Sequence, residues 1–187
     1  YLHLTRHPYG MIRSLTEIRG QLDFPKPYPI LPEQFAEHMW LTAQRTVANF
    51  LATIPPERRH RVSYEALVTT PHRVMTDVCA FLKIPFDSAL LQPYADVSAK
   101  MTDGLHAISR TIGDPKFCAY NTINPAVANR WRAHYTTDFL SNQTWEMAES
   151  LGYRRTDLPP QMQQPLLPTN GARALESLLG QLETLSE

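Results

Sequence analysis

The chain has 187 residues, 43% hydrophobic and 19% charged, with 18 basic residues against 18 acidic ones. That supports one domain with its own core, or a domain and an appendage, and the even charge balance gives no basic footprint for nucleic acid or an anionic membrane. No apolar run approaches the ~18 residues of a membrane span, no signal peptide opens the chain, and Cys79 and Cys118 form neither a CxxC pair nor a disulfide framework, as expected in a reducing cytoplasm.

Leu2 and Leu4 mark a short strand, and Pro8 opens a helix predicted to run to Arg19. Pro8 suits the first helical position, where its missing N–H costs nothing. The strand leads into Arg6, and the helix carries Ser14 in its middle. A guanidinium fork at a strand's end with an O–H donor from the following helix makes a seat for a phosphate. On its own, a helical serine is more often solvated or bonded back to its helix. His3 and His7 fall on the strand and the turn beyond it, so a shared metal is not expected.

Residues 20–32 hold Pro25, Pro27, Pro29 and Pro32, which exclude regular structure and fit either a stiff flap or a plain connector. Ala36, Met39, Ala43, Val47, Phe50 and Ile54 then recur at helical spacing, predicting an amphipathic helix over 33–54 that stops at Pro55-Pro56. Glu33 and Glu37 are assigned to its wet side. Arg45 also lies opposite the apolar face, where it is either solvated or, if that side borders a cleft, an anion-orienting guanidinium. A second strand is predicted over 61–64. A helix follows over 71–82, with Val74, Val78, Phe81 and Leu82 on one face and Cys79 as a buried thiol. Asp87 caps a brief helix through Leu91.

No sustained periodicity runs from Tyr94 to Ile123, the signature of a functional or disordered loop. Within it Gly104 and Gly113 permit close backbone approach, Arg110 and Lys116 supply cationic donors, and His106 is of the residue type suited to a general base. By residue type alone His106 is equally a loop histidine with no task. Asn124-Pro125 starts a helix through Trp131, and another is predicted from Asp138 to Leu151 with Gly152 as its stop. Residues 154–171 have the Pro- and Gln-rich composition of a linker, and 172–187 carry a leucine stripe at Leu175, Leu178, Leu179, Leu182 and Leu185, an interdomain helix in outline.

Strand–helix alternation predicts an α/β fold, a parallel sheet flanked by helices. Two strands are too few for a full sheet, so the rest are expected upstream of Tyr1. No GxSxG, HExxH or GxGxxG motif occurs.

Three segments together resemble the PAPS-dependent sulfotransferases: Thr5-Arg6-His7-Pro8 with Ser14; Val62-Ser63-Tyr64-Glu65-Ala66-Leu67 with Thr70-Pro71 and Phe81-Leu82; and Thr102-Asp103-Gly104-Leu105-His106 with Ile112-Gly113-Asp114-Pro115. The third is similar in particular to sulfotransferase domains of modular polyketide and olefin synthases. The resemblance covers 1–153 and implies the C-terminal portion of the P-loop-like sulfotransferase fold. The loop that binds the 5′-phosphosulfate is absent, so the fragment alone is expected to be inactive. It implies that Arg6 and Ser14 hold the nucleotide's 3′-phosphate, Tyr64 lies against the adenine, and Arg110 and Lys116 close over the phosphate. His106 is implied as base; apart from the resemblance, Arg45 is a catalytic candidate only if its side of the helix borders the cleft, where it would orient the sulfonate or a phosphopantetheine arm. PAPS is the implied co-substrate and PAP the product, with no metal. The implied acceptor is the β-hydroxyl of an acyl chain on an acyl carrier protein, beside neighbouring synthase domains. A free-standing small-molecule or carbohydrate sulfotransferase and a fragment related to P-loop kinases are the alternatives.

Overall fold

A computed structural model of the chain describes residues 1–19, 31–95 and 120–163. Two strands are found among them, β1 (Leu2–Thr5) and β2 (His60–Ser63), paired in one parallel sheet. The His60 N–H donates to the Tyr1 carbonyl at 2.9 Å. The helices are α1 (Pro8–Arg19), α2 (Pro32–Ala52), α3 (Tyr64–Thr69), α4 (Pro71–Leu82) and α5 (Asn142–Ser150), with short 3₁₀ turns between and after them. The chain divides into two compact units, one of residues 1–61 with 129–187, the other of residues 62–128.

In the first unit α1 and α2 pack on each other, and α5 packs on α2. Tyr9 and Ile12 of α1, Ala36, Trp40 and Leu41 of α2, and Trp145 and Ala148 of α5 share one core with Trp131. The docked face of α2 is therefore 36, 37, 40 and 41, not the stripe its periodicity picked out. Met39 and Phe50, expected inside, are 44% and 47% exposed, and Glu37, expected in water, is 1% exposed. The bulky pair Trp40-Leu41 decides which side of a helix apolar on two faces is buried.

Asp138 does not start a helix. Its carboxylate accepts from the Leu140 N–H, and α5 begins only after Ser141, whose hydroxyl accepts from the Thr144 N–H at 3.2 Å. That is an N-cap, and it sets the boundary. α5 stops at Gly152, whose φ of +88° is open to glycine at little cost. The stretch after it departs from its linker composition: Leu158 and Met162, on or beside 3₁₀ turns, are buried in the same core.

In the second unit Val62, Val74 and Val78 form a small core. Cys79 is buried, as expected. Tyr64 is not the end of a strand but the first residue of α3, because the Ser63 hydroxyl accepts from the Ala66 N–H and caps a helix there. Asp87 caps the turn Ser88–Leu91 as its sequence predicts. Asn124-Pro125 opens only a 3₁₀ turn to Ala128, followed by a second over Arg130–Ala133.

Candidate functional site

β1 delivers Arg6 to the head of α1. Thr5, at the end of the strand, is buried with its hydroxyl 3.2 Å from the Tyr153 hydroxyl. The Arg6 carbonyl accepts from the Trp40 indole N–H at 3.2 Å, so α2 fixes the backbone at this point. The Arg6 side chain turns back over the first turns of α1, where Gly10 is buried and Arg6 Nε is shielded from solvent. Ser14, half-buried, follows Gly10 by four residues and so lies on the same helical face.

His7 holds the helix entry. Its Nδ1 accepts from the Tyr9 N–H at 3.3 Å, and its carbonyl accepts from the Met11 N–H. The ring stacks on Trp131 with centroids 4.2 Å apart. Burial, reinforced by the Arg132 charge, pushes the His7 pKa down to about 3. A neutral ring is what the cap requires, since a protonated Nδ1 accepts nothing. Pro8 carries no N–H and the Tyr9 and Met11 amides are taken up by His7, so what the head of α1 adds beside the Arg6 side chain is the partial positive charge of the helix dipole.

Behind this head two buried carboxylates tie the unit together. Asp138 accepts from the Tyr9 hydroxyl at 2.6 Å, the Trp145 indole at 3.1 Å and Arg155 Nε at 2.7 Å. The Tyr9 hydroxyl in turn accepts from the Phe139 N–H at 2.9 Å. Glu37 Oε1 accepts from the Ser141 N–H at 2.8 Å and the Thr144 hydroxyl at 2.7 Å. Burial raises the Glu37 carboxyl above its ordinary range despite these donors.

Of the other sequence candidates, Arg45 and Tyr64 are among the described residues. Arg45 Nη2 donates to Gln143 Oε1 at 2.9 Å, linking α2 to α5. Tyr64 is half-buried at the start of α3 in the second unit. His106, Arg110 and Lys116 lie outside the described residues, as does most of the proline-rich segment 20–32. No group of three or more metal-ligating side chains occurs among the described residues, and none of their helices is long and apolar enough to cross a membrane. Sequence reasoning passed over Gly10, although Arg6, Gly10 and Ser14 stand at successive four-residue steps.

Residues 1–88 match the model of the sulfotransferase family. Among solved structures the chain is similar to the sulfotransferase domain from the curacin biosynthetic pathway, with 36% identity and a TM-score of 0.69 over 85% of this chain and 54% of that one. It is also similar to the sulfotransferase domain from the Synechococcus PCC 7002 olefin synthase, with 35% identity and a TM-score of 0.67 over 85% of this chain and 50% of that one. The chain thus spans about half the length of these two domains. No curated protein matches it. The resemblance read from the sequence is thereby borne out: residues 1–88 match the sulfotransferase model, and the chain carries the α/β fold of the two sulfotransferase domains it is similar to.

Proposed function

We propose that this chain forms the 3′-phosphate end of the nucleotide site in a PAPS-dependent sulfotransferase, with Arg6 and Ser14 holding that phosphate. One observation carries the reading: the Arg6 side chain lies over the head of α1 beside Gly10, with Ser14 farther along the same face. A dianionic phosphate beside Ser14 meets a guanidinium and a hydroxyl together. In this reading Tyr64 lies against the adenine, Arg110 and Lys116 close over the phosphate, and Arg45 orients the sulfonate or a phosphopantetheine arm.

In the reaction the acceptor's hydroxyl oxygen bonds to the sulfur of PAPS as the bond from sulfur to the 5′-phosphate oxygen breaks. PAP leaves, and the hydroxyl proton passes to a base, His106. A positioned base contributes roughly 10²–10⁴-fold. Likeness to domains of the curacin pathway and an olefin synthase supports, as acceptor, the β-hydroxyl of an acyl chain on an acyl carrier protein, with neighbouring synthase domains as partners in the cytoplasm.

The test is mass spectrometry of a β-hydroxyacyl carrier protein incubated with PAPS and the full-length protein. One sulfonate increment, lost in His106→Ala, is expected. Absence of transfer to the carrier-bound chain, with transfer to a free small alcohol, would reject the acceptor.

A further inference from the structure

Gly10 is buried in α1 between the two groups assigned to the phosphate, four residues after Arg6 and four before Ser14. A Cβ at this position would stand 3.1 Å from Arg6 Nε, 3.6 Å from Arg6 Cγ and 3.5 Å from Trp131 Cδ1. The first distance is closer than a methyl group and a guanidinium nitrogen accept at rest, so one of them would shift by a few tenths of an ångström. Two of the surrounding groups are held in place. The Trp131 ring is buried and stacked on His7 at 4.2 Å, and the Arg6 backbone is held by Trp40 at 3.2 Å. The Arg6 side chain is the part that would have to move.

We infer that Gly10 is a positioning residue for nucleotide selectivity: its missing side chain is the slot in which Arg6 lies, and the slot sets the guanidinium at the height of a 3′-phosphate. This rests on the reading of Arg6 as the 3′-phosphate ligand. The choice of glycine fits no local need of the backbone. Gly10 is the third residue of α1 and has no positive φ, so the backbone there would accept alanine. A helix that keeps glycine at such a place, under an arginine, gives up stability for close approach. The effect is confined to the group that touches Arg6, so it separates nucleotides carrying a 3′-phosphate from those lacking one.

The experiment is a double-mutant cycle in the full-length protein, comparing wild type, Gly10→Ala, Arg6→Ala and the double variant. Calorimetry with PAP and with AMP gives the affinities, and thermal melting gives the stability. With Arg6 present, Gly10→Ala weakens PAP binding by about three- to tenfold and leaves AMP binding unchanged, the scale expected from loosening one charge-assisted contact. With Ala at position 6, Gly10→Ala changes neither affinity and raises the melting temperature. Equal PAP losses in both backgrounds, equal losses for PAP and AMP, or no loss at all would overturn the role of Gly10. If Arg6→Ala itself leaves PAP selectivity intact, the phosphate reading falls, and this one with it. Should Gly10→Ala alone fail to fold, recovery of folding in the double variant supports the Arg6 contact, and continued failure overturns it.

Discussion

The Thr144 hydroxyl donates to Glu37 Oε1 at 2.7 Å across 107 residues of sequence, with both residues at 1% exposure or less. This contact joins α2 to the N-terminus of α5, and it places a carboxylate where water does not reach.

Glu37 gives the first prediction. Burial raises its pKa above the ordinary 4.5, with the Asp138 charge acting the same way and the donors from Thr144 and Ser141 opposing. Between 4.5 and the raised value the folded chain keeps a proton that the unfolded chain has released. Glu37 therefore adds stability as the pH falls through the raised value, and that contribution disappears at higher pH. Urea unfolding from pH 8 to pH 4.5 should show wild type gaining on Glu37→Gln as acid is added. A gap that narrows the other way would contradict the buried placement.

His7 acts with the opposite sign. Its folded pKa of about 3 lies below the ordinary 6.5, so the neutral ring stabilises the fold above 6.5 and that contribution is lost as the pH falls toward 3. The slope is about 1.4 kcal/mol per pH unit across that window. His7→Asn keeps a side-chain acceptor at the cap and removes the titration. Wild type should lose stability relative to His7→Asn below pH 6.5, and parallel curves would refute the assignment.

The two partners of the Asp138–Arg155 ion pair should behave differently. Asp138→Ala strands the Tyr9 hydroxyl and the Trp145 indole inside the core, at a cost of about 3 kcal/mol or more. Arg155, whose side chain is 50% exposed, contributes about 0–1 kcal/mol to the pair. Denaturant midpoints of the two alanine variants measure the contrast, and similar losses would mean that the ion pair dominates instead of the buried donors.

Much of this was legible in the sequence where a local rule sets the outcome. Pro8 opens α1, Pro71 opens α4, Asp87 caps its turn and Gly152 ends α5, each through backbone chemistry confined to a few residues. The errors came where distant partners decide. Glu37 reads as a solvated helix residue until Ser141 and Thr144 arrive from the far end of the chain, and Asp138 reads as a helix start until Tyr9 and Trp145 claim it. Leu158 and Met162 sit in a composition that suggests a linker, yet the aromatic core takes them up. The proposed phosphate seat rests on residue types that the sequence itself displays at Arg6 and Ser14. The burial of Gly10 beneath Arg6 was not, because a glycine has no pattern of its own to report.

The central claim is that Arg6 grips a 3′-phosphate, and nucleotide binding tests it most directly. Removing one charge-assisted contact costs about 1.5–3 kcal/mol. Calorimetry of the full-length protein should therefore show PAP binding weakened at least about tenfold by Arg6→Ala, with AMP, which lacks the 3′-phosphate, bound nearly as by wild type. Equal losses for the two nucleotides, or no loss for PAP, would place Arg6 outside the phosphate site.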